Sequence, residues 1–461
     1  MKFNPHKYQI EAANFLLDKP RSFLYLGLGL GKTVITLSTI RRLILTGESK
    51  GALVITPIRP MYNTWPDEIK KWDHLNSLTY TILHGEDKGK RLTGSKVNIY
   101  LINYEGLKWL EQILLKVSPQ DIPFDILVFD ESSMLKSNSA KRFKILKRLI
   151  HKTGTLFSRR YGLTGTPSPN SLQDIWSQFL LVDGGKRLGV SFTGFRDAYF
   201  YPLDFNGFKW ATKYKAKENI SNRVKDIVLR MRSEDYVDLP EKVDNKIVCD
   251  LPDDLRKQYK KLEKDFILQL TDNQEVTAFN AGVLAGKLRQ FISGGMYLAH
   301  PEWLKIHNTK AEEVAQMIET YSAEPTLVAI QYKFEYDLMC DAMKRVLPVI
   351  YGDTKNKETN RLIDLWNKGL LPVLVVHPQS ISHGVNLQSG GRMIFWLSLP
   401  WSYEQYTQLN GRLYRQGQVR SVIVNHMLIK NTIDERVYST LIAKHNNEES
   451  FMKSLVGNLL T

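Results

Sequence analysis

Cysteine is nearly missing from this 461-residue sequence: Cys249 and Cys340 stand far apart, with no His or Cys at ligand spacing. That excludes a disulfide framework and a cysteine-based zinc site, and both thiols read as small buried hydrophobes. Long apolar runs are missing too, since stretches such as 370–376 fall far short of the roughly 18 residues a membrane span needs. The opening "MKFNPHKYQI" lacks the layout of a secretory leader, so a cytoplasmic protein without a membrane segment is expected. No internal repeat or low-complexity tract is present.

Acids run out in two stretches, and what remains there is basic. Nine Lys or Arg and no acid lie between positions 136 and 160, and eight lie between 205 and 232 against only Glu218 and Asp226. With a net charge of +15 and an isoelectric point near 9.4, the chain favours a polyanionic partner. Either cluster alone reads equally well as a solvated helix face.

What is present is one pattern played twice. Apolar bursts at 23–26, 52–55, 97–102, 126–129 and 161–163 are each followed by small or polar residues, and a second series runs through 326–330, 349–351, 373–376, 393–397 and 422–424. Short unbroken apolar runs separated by amphipathic segments are strands buried on both faces, which means parallel sheets with crossover helices. The chain therefore reads as α/β with two domains, 1–235 and 236–461, joined near the polar stretch 233–243. A helical stretch is expected over 252–292, and a helix or helix pair at the C-terminal end. In such sheets ligands bind beyond the carboxyl ends of the strands.

The first burst ends in Gly27, Gly29, Gly31, Lys32 and Thr33, followed by a helical pattern. Backbone N–H groups of a glycine loop between strand and helix can hold phosphates, with Lys32 on the β- and γ-phosphates and the Thr33 hydroxyl on Mg²⁺. The full P-loop pattern wants glycine at position 26, where this chain has Leu26; Gly27 would relax the turn instead. Alone, the loop reads either as this site or as an ordinary glycine turn.

The fourth burst ends in Asp130 and Glu131. One acid can hold Mg²⁺ through water and the next can polarise an attacking water, although acids in this place also cap helices. Together with the glycine loop they make an NTP site. In the second half, Arg412 and Arg415 in "QLNGRLYRQGQ" are three apart, which on a helix puts both guanidinium groups on one face, aimed at one anion or merely at solvent.

The motifs "GLGKT", "DESS", "LTGTPSPN" and "QLNGRLYR" resemble, in order and spacing, those of superfamily-two helicases. "HKYQ", "VITPIRPMYNTWPDEIKKW", "INYEGL", "LHG", "HGVNLQ" and "RQGQ" resemble the Snf (sucrose non-fermenting) branch, particularly its compact phage-encoded and bacterial members. The resemblance covers the chain from Tyr8 to about Val437. It implies two RecA-like lobes separated by an ATP-binding cleft, ATP hydrolysis with Mg²⁺, and translocation along duplex DNA. By matching position it implies that Gln9 reads the adenine edge, that Gly29, Gly31, Lys32, Thr33 and Gln408 bind the nucleotide, and that Asp130 and Glu131 serve catalysis. Arg412 and Arg415 would be arginine fingers, and Thr164 and Thr166 would couple nucleotide to DNA. Thr56, Asn103, Tyr104, Gln331, Ser380 and Asn386 sit where the family touches nucleic acid or couples its lobes. Two departures stand out: Ser132-Ser133 replace the usual Ala-His after the acid pair, and Ile381-Ser382 replace a glycine pair.

Large insertions and histone-reading modules have no room in this chain, so a nucleosome target is not expected. The aromatic and basic segment 192–223 carries Asn206-Gly207, a tight-hairpin signal, and a hairpin near 200–215 could sit at a DNA junction or simply brace the first domain. The leading expectation is a DNA translocase that remodels branched DNA in replication, recombination or repair. A motor that strips proteins from DNA and an ATP-gated scaffold that does not move are the alternatives.

Overall fold

The computed structural model describes all residues except 95, 154–155, 205–209, 273–277, 299–301, 321–323, 382–384 and 457–461. The chain divides into two units, Met1–Val237 with Lys444–Thr461, and Asp238–Ala443.

Seven parallel strands form the sheet of the first unit: β1 (Arg21–Leu26), β2 (Ala52–Thr56), β3 (Tyr80–Ile82), β4 (Ile99–Asn103), β5 (Ile126–Asp130), β6 (Arg159–Thr164) and β9 (Val228–Met231). Their order across the sheet is β3-β4-β2-β5-β6-β1-β9. Successive residues of one strand enter different cores. Phe23 and Tyr25 pack with Leu53, Tyr100 and Phe129, whereas Leu24 and Leu26 pack with Val54, Leu101 and Val128. Side chains alternate across a strand, so a sheet covered on both faces has no polar position to offer, and the sequence shows bursts rather than alternation. Each such side chain stabilises the fold by roughly 1.5–3 kcal/mol relative to exposure.

Between β6 and β9 lies an antiparallel pair, β7 (Phe200–Pro202) and β8 (Trp210–Thr212), in register Phe200 to Thr212. The Asn206-Gly207 turn expected to join them lies outside the described residues.

The second unit holds a six-stranded parallel sheet, built from β10 (Lys242–Cys249), β13 (Thr326–Ala329), β14 (Val349–Ile350), β15 (Val373–Val376), β16 (Met393–Trp396) and β17 (Val422–Ile429). The order is β10-β17-β16-β13-β15-β14, and a small antiparallel pair, β11 (Gly295–Tyr297) and β12 (Trp303–Lys305), stands beside it.

Strands β3, β9 and β10 go unread in the sequence, and all three are sheet edges. An edge strand needs little apolar surface, and β10 reads "KVDNKIVC" with most of its residues exposed. The stretch 252–292 contains two helices, Asp253–Asp272 and Ala278–Ile292, with 273–277 outside the described residues. One helix, Ile433–Val456, ends the chain. Its part from Lys444 onward groups with the first unit rather than with the second, because Phe451 and Met452 bury in the core that holds Phe179 and Leu180. Cys249 is buried, its thiol pushed up to about 11 chiefly by burial, and Cys340 is half-buried. Among the described residues no helix is long and apolar enough to cross a membrane.

Candidate functional site

The loop after β1 turns through Gly29 and Gly31, whose φ angles are 87° and 79°, a left-handed backbone that other residues adopt only with strain. Gly31 caps the helix Lys32–Leu45. A Cβ on Gly31 would stand 2.8 Å from Gln9 Nε2, which places Gln9 against the loop, while Gln9 Oε1 accepts from the backbone of His6 at 3.0 Å. Gly27 does not relax the turn with a left-handed backbone. It permits a close approach: a Cβ there would meet Ser233 Oγ at 2.3 Å, and that hydroxyl donates to Leu28 O at 2.9 Å. Ser233 is thus a loop-shaping residue that the sequence pattern does not reveal. Lys32 folds back so that Nζ donates to Leu26 O at 2.8 Å. Thr33 occupies the second position of the helix.

Two strand ends away, Asp130 closes β5. Its Oδ2 accepts from Thr56 Oγ1 at 2.7 Å and from the Trp65 indole at 2.8 Å. Burial pushes the Asp130 carboxyl above its ordinary range; the Trp65 and Thr56 hydrogen bonds oppose this, the Glu131 charge adds to it, and the Lys32 charge reduces it. Thr56, expected to face nucleic acid or couple the lobes, is fully buried at the end of β2 and holds Asp130. Trp65 is a site residue that the sequence pattern does not mark, because a Trp in an amphipathic segment reads as core.

Glu131 adopts φ 55° and ψ 58°, a left-handed backbone uncommon outside glycine. Such strain costs about 1–3 kcal/mol and persists where surrounding contacts impose it. Those contacts are visible: Glu131 Oε1 accepts from Ser133 Oγ at 3.0 Å and from Thr164 Oγ1 at 2.9 Å, and Thr164 Oγ1 in turn accepts from Thr166 N at 3.0 Å. Ser133, the second serine after the acid pair, is wholly buried and orients Glu131. Ser132 donates to Gln178 Oε1 at 2.8 Å, and Tyr104 OH donates to the Asp130 carbonyl at 2.8 Å. Asn103 donates to Glu105 at 2.9 Å.

In the second unit the helix Tyr403–Leu413 carries Gln408 and Arg412, but not Arg415. The expected common helical face is therefore corrected. Tyr414 leaves the helix with ψ 84°, and Arg415 lies in the turn toward Gly417, whose φ is 95°. Both guanidinium groups nonetheless reach one short segment, Arg412 donating to the Val385 carbonyl at 3.0 Å and Arg415 to Asn386 Oδ1. Arg412 is buried and Arg415 half-buried. Gln331, just after β13, donates its backbone N–H to Glu335.

Several of these residues carry buried polar atoms that meet no partner among the described residues: Asn103 Oδ1, Thr166 Oγ1, Gln331 Nε2, Ser380 Oγ and Gln408 Nε2. An unmet buried polar atom costs about 1–3 kcal/mol, so the persistence of such atoms within each unit fits groups that a ligand completes. The glycine cradle, Lys32 and the acid pair fit a nucleoside triphosphate. Among the described residues no three His, Cys, Asp or Glu cluster to hold a metal. The donors near the loop are instead a hydroxyl and a carboxylate, the kind of sparse set on which Mg²⁺ is completed by phosphate oxygens and water.

A glycine loop between β1 and its helix, beside an acid pair at a strand end of the same parallel sheet, is the arrangement of the P-loop class of nucleotide-binding proteins. The SNF2-related domain matches residues 8–293, and the helicase conserved C-terminal domain matches residues 309–417. The chain is 33% identical to protein p41 of Acyrthosiphon pisum secondary endosymbiont phage 1, over 98% of this chain and 99% of that protein. It is 24% identical to the DNA excision repair protein CSB of Oryza sativa subsp. japonica over 91% of this chain, and spans 38% of that longer protein. Among solved structures it is similar to a Sulfolobus solfataricus SWI2/SNF2 ATPase core in complex with dsDNA, at 21% identity, covering 99% of this chain and 97% of that one, with a TM-score of 0.45. The chain belongs to the SNF2 family of superfamily-two helicase-like proteins and is a DNA-dependent ATPase.

Proposed function

We propose that this chain is an ATP-driven DNA translocase that remodels branched DNA, by fork regression or by branch migration of four-way junctions. The observation that carries the motor reading is the tie between the acid pair and its neighbouring strand ends. Thr56 at the end of β2 holds Asp130, and Thr164 at the end of β6 holds Glu131. A change in bonding at either carboxylate is thereby felt at segments where this family meets nucleic acid. A scaffold that only binds ATP would have no use for a strained Glu131 held by two hydroxyls.

In this mechanism Gln9 reads the adenine edge, and the loop through Gly29 and Gly31 presents backbone N–H groups to phosphate oxygens. Lys32 exchanges the Leu26 carbonyl for the β- and γ-phosphates. Thr33 and Asp130 would hold Mg²⁺, which when bound neutralises charge on those phosphates. Glu131 orients and polarises the attacking water. Arg412 and Arg415 leave the 385–386 segment to stabilise negative charge on the γ-phosphoryl group, with Gln408 beside the nucleotide. Asn103, Tyr104, Thr166, Gln331, Ser380 and Asn386 serve DNA contact or coupling.

Branched DNA is the finer part of the reading, supported by the basic charge and by the aromatic hairpin segment. ATPase stimulation and strand exchange on forked, four-way and linear DNA test it. Greater stimulation by forked or four-way DNA, with movement of the junction, is expected. Equal action on all three would sink the branched-substrate part. Displacement of streptavidin from a linear duplex without junction movement would favour a protein-stripping motor.

A further inference from the structure

A cavity of about 480 Å³ opens on the first unit between the loops that follow β5 and β6 and strand β8, and no residue of the P-loop lines it. Its size falls within the roughly 300–1,000 Å³ of small-ligand sites. The walls are of two kinds. Phe192 and Trp210 supply aromatic surface, and Asn138, Asn170, Asp174 and Lys136 supply a polar rim.

The aromatic wall is held in place. Phe192 stands edge-on to the buried Trp176, with ring centroids 5.4 Å apart, and Trp176 is fixed by an indole bond to Gly189 O at 3.1 Å. The Arg196 guanidinium lies 4.1 Å from the Trp210 ring centroid and 5.7 Å from that of Phe192. The polar rim is ordered as well. Asp174 Oδ2 accepts from the backbone of Asn170 at 2.8 Å and of Ser171 at 3.3 Å, so this carboxylate shapes the loop. Lys444 Nζ donates to Asn170 Oδ1 at 3.4 Å. Burial lowers the Lys444 pKa, the nearby Asp174 charge raises it, and the Lys136 charge lowers it, so two ammonium groups share this rim.

Rigid aromatic surface, side-chain amides that both donate and accept, and lysines at the edge are what an unstacked nucleotide needs: a face to stack on, partners for the base edge, and cations for its phosphate. We infer that this cavity takes a single unpaired nucleotide of the DNA on which the motor works. The inference rests on the DNA-translocase reading and adds a place where a base released at a junction is held.

A duplex with one bulged 2-aminopurine nucleotide, set against the same duplex fully paired, is the test. The full-length protein should bind the bulged duplex roughly tenfold more tightly and quench 2-aminopurine fluorescence. Trp210→Ala should lose both the preference and the quenching while binding paired duplex as the wild type does. Asn138→Asp, a near-isosteric change that spares the aromatic wall, should weaken the preference with an unchanged melting temperature. Stimulated ATPase with no preference for the bulge, or quenching unaltered by Trp210→Ala, would overturn the pocket and leave the translocase standing. Quenching that depends on Trp210 without DNA-stimulated hydrolysis would support the pocket and sink the translocase.

Discussion

The Thr164 hydroxyl donates to Glu131 Oε1 at 2.9 Å while accepting from the backbone of Thr166. One side chain thus ties the residue proposed to polarise water to the loop that follows β6. Ser133 makes the second bond to the same carboxylate oxygen.

Removing the Thr164 bond should impair catalysis without impairing binding. A hydrogen bond to a charged group contributes about 1.5–3 kcal/mol, so Thr164→Val is predicted to lower kcat for DNA-stimulated hydrolysis roughly ten- to a hundredfold. Binding of a fluorescent ATP analogue should be unchanged, and Glu131→Gln should likewise bind ATP but not turn it over. Loss of nucleotide binding in either variant would contradict the assigned role.

Asp130 should be costly to the fold. Burial raises its carboxyl pKa, so the folded state holds the proton more tightly than the unfolded chain does. The stabilising contribution of the neutral form is full below the ordinary carboxylate value and is lost as pH rises through the raised one. At neutral pH the buried carboxylate is therefore a liability retained for function. Asp130→Asn keeps an oxygen for Thr56 and Trp65, and is predicted to melt a few degrees higher than the wild type at neutral pH while losing ATPase activity. The difference should shrink as the pH falls into the carboxylate range. A lower melting temperature at neutral pH would show that ionised Asp130 stabilises the protein.

The sheets were legible in the sequence because strands covered on both faces leave no choice of residue. Phe23 to Leu26 are apolar without interruption, since odd and even positions enter different cores. Strand β10 was hidden for the opposite reason, an edge strand being free to carry Lys, Asp and Asn. Within the site, Lys32, Asp130 and Glu131 announce themselves through residue type and position after a strand. Trp65, Ser233 and Ser133 do not, because their roles depend on which segment the fold brings alongside. Helical spacing misled at Arg415: a periodicity argument assumes that the helix continues, and Tyr414 ends it.

The two arginines should separate by stability. Arg412 is buried with a bond to the Val385 carbonyl, so Arg412→Ala is predicted to lose both hydrolysis and part of the stability of its unit. Arg415 is half-buried and donates to the Asn386 side chain. Arg415→Ala should therefore lower hydrolysis by on the order of 10³-fold, as loss of an arginine finger does, with little change in melting temperature. Lysine should not restore activity at 415, since a point charge cannot reproduce the planar fork. Stimulated turnover and thermal melts of Arg412→Ala, Arg415→Ala and Arg415→Lys separate these outcomes. Near-normal hydrolysis by Arg415→Ala would remove it from the mechanism.

The end of the chain should matter to the first unit out of proportion to its length. Glu448 is buried and its Oε1 accepts from Ser168 N at 3.2 Å, on the loop that begins with Thr164 and Thr166. Phe451, three residues on, is fully buried in the core of that unit. Phe451→Ala is predicted to cost about 3–5 kcal/mol of stability, read as a shifted urea transition. Glu448→Ala leaves the Ser168 N–H without its acceptor, at a cost of about 1–3 kcal/mol, and because that loop also carries Thr166 it should lower kcat more than it changes ATP affinity. If Glu448→Ala melts and hydrolyses like the wild type, the C-terminal helix is packing alone and does not position the loop.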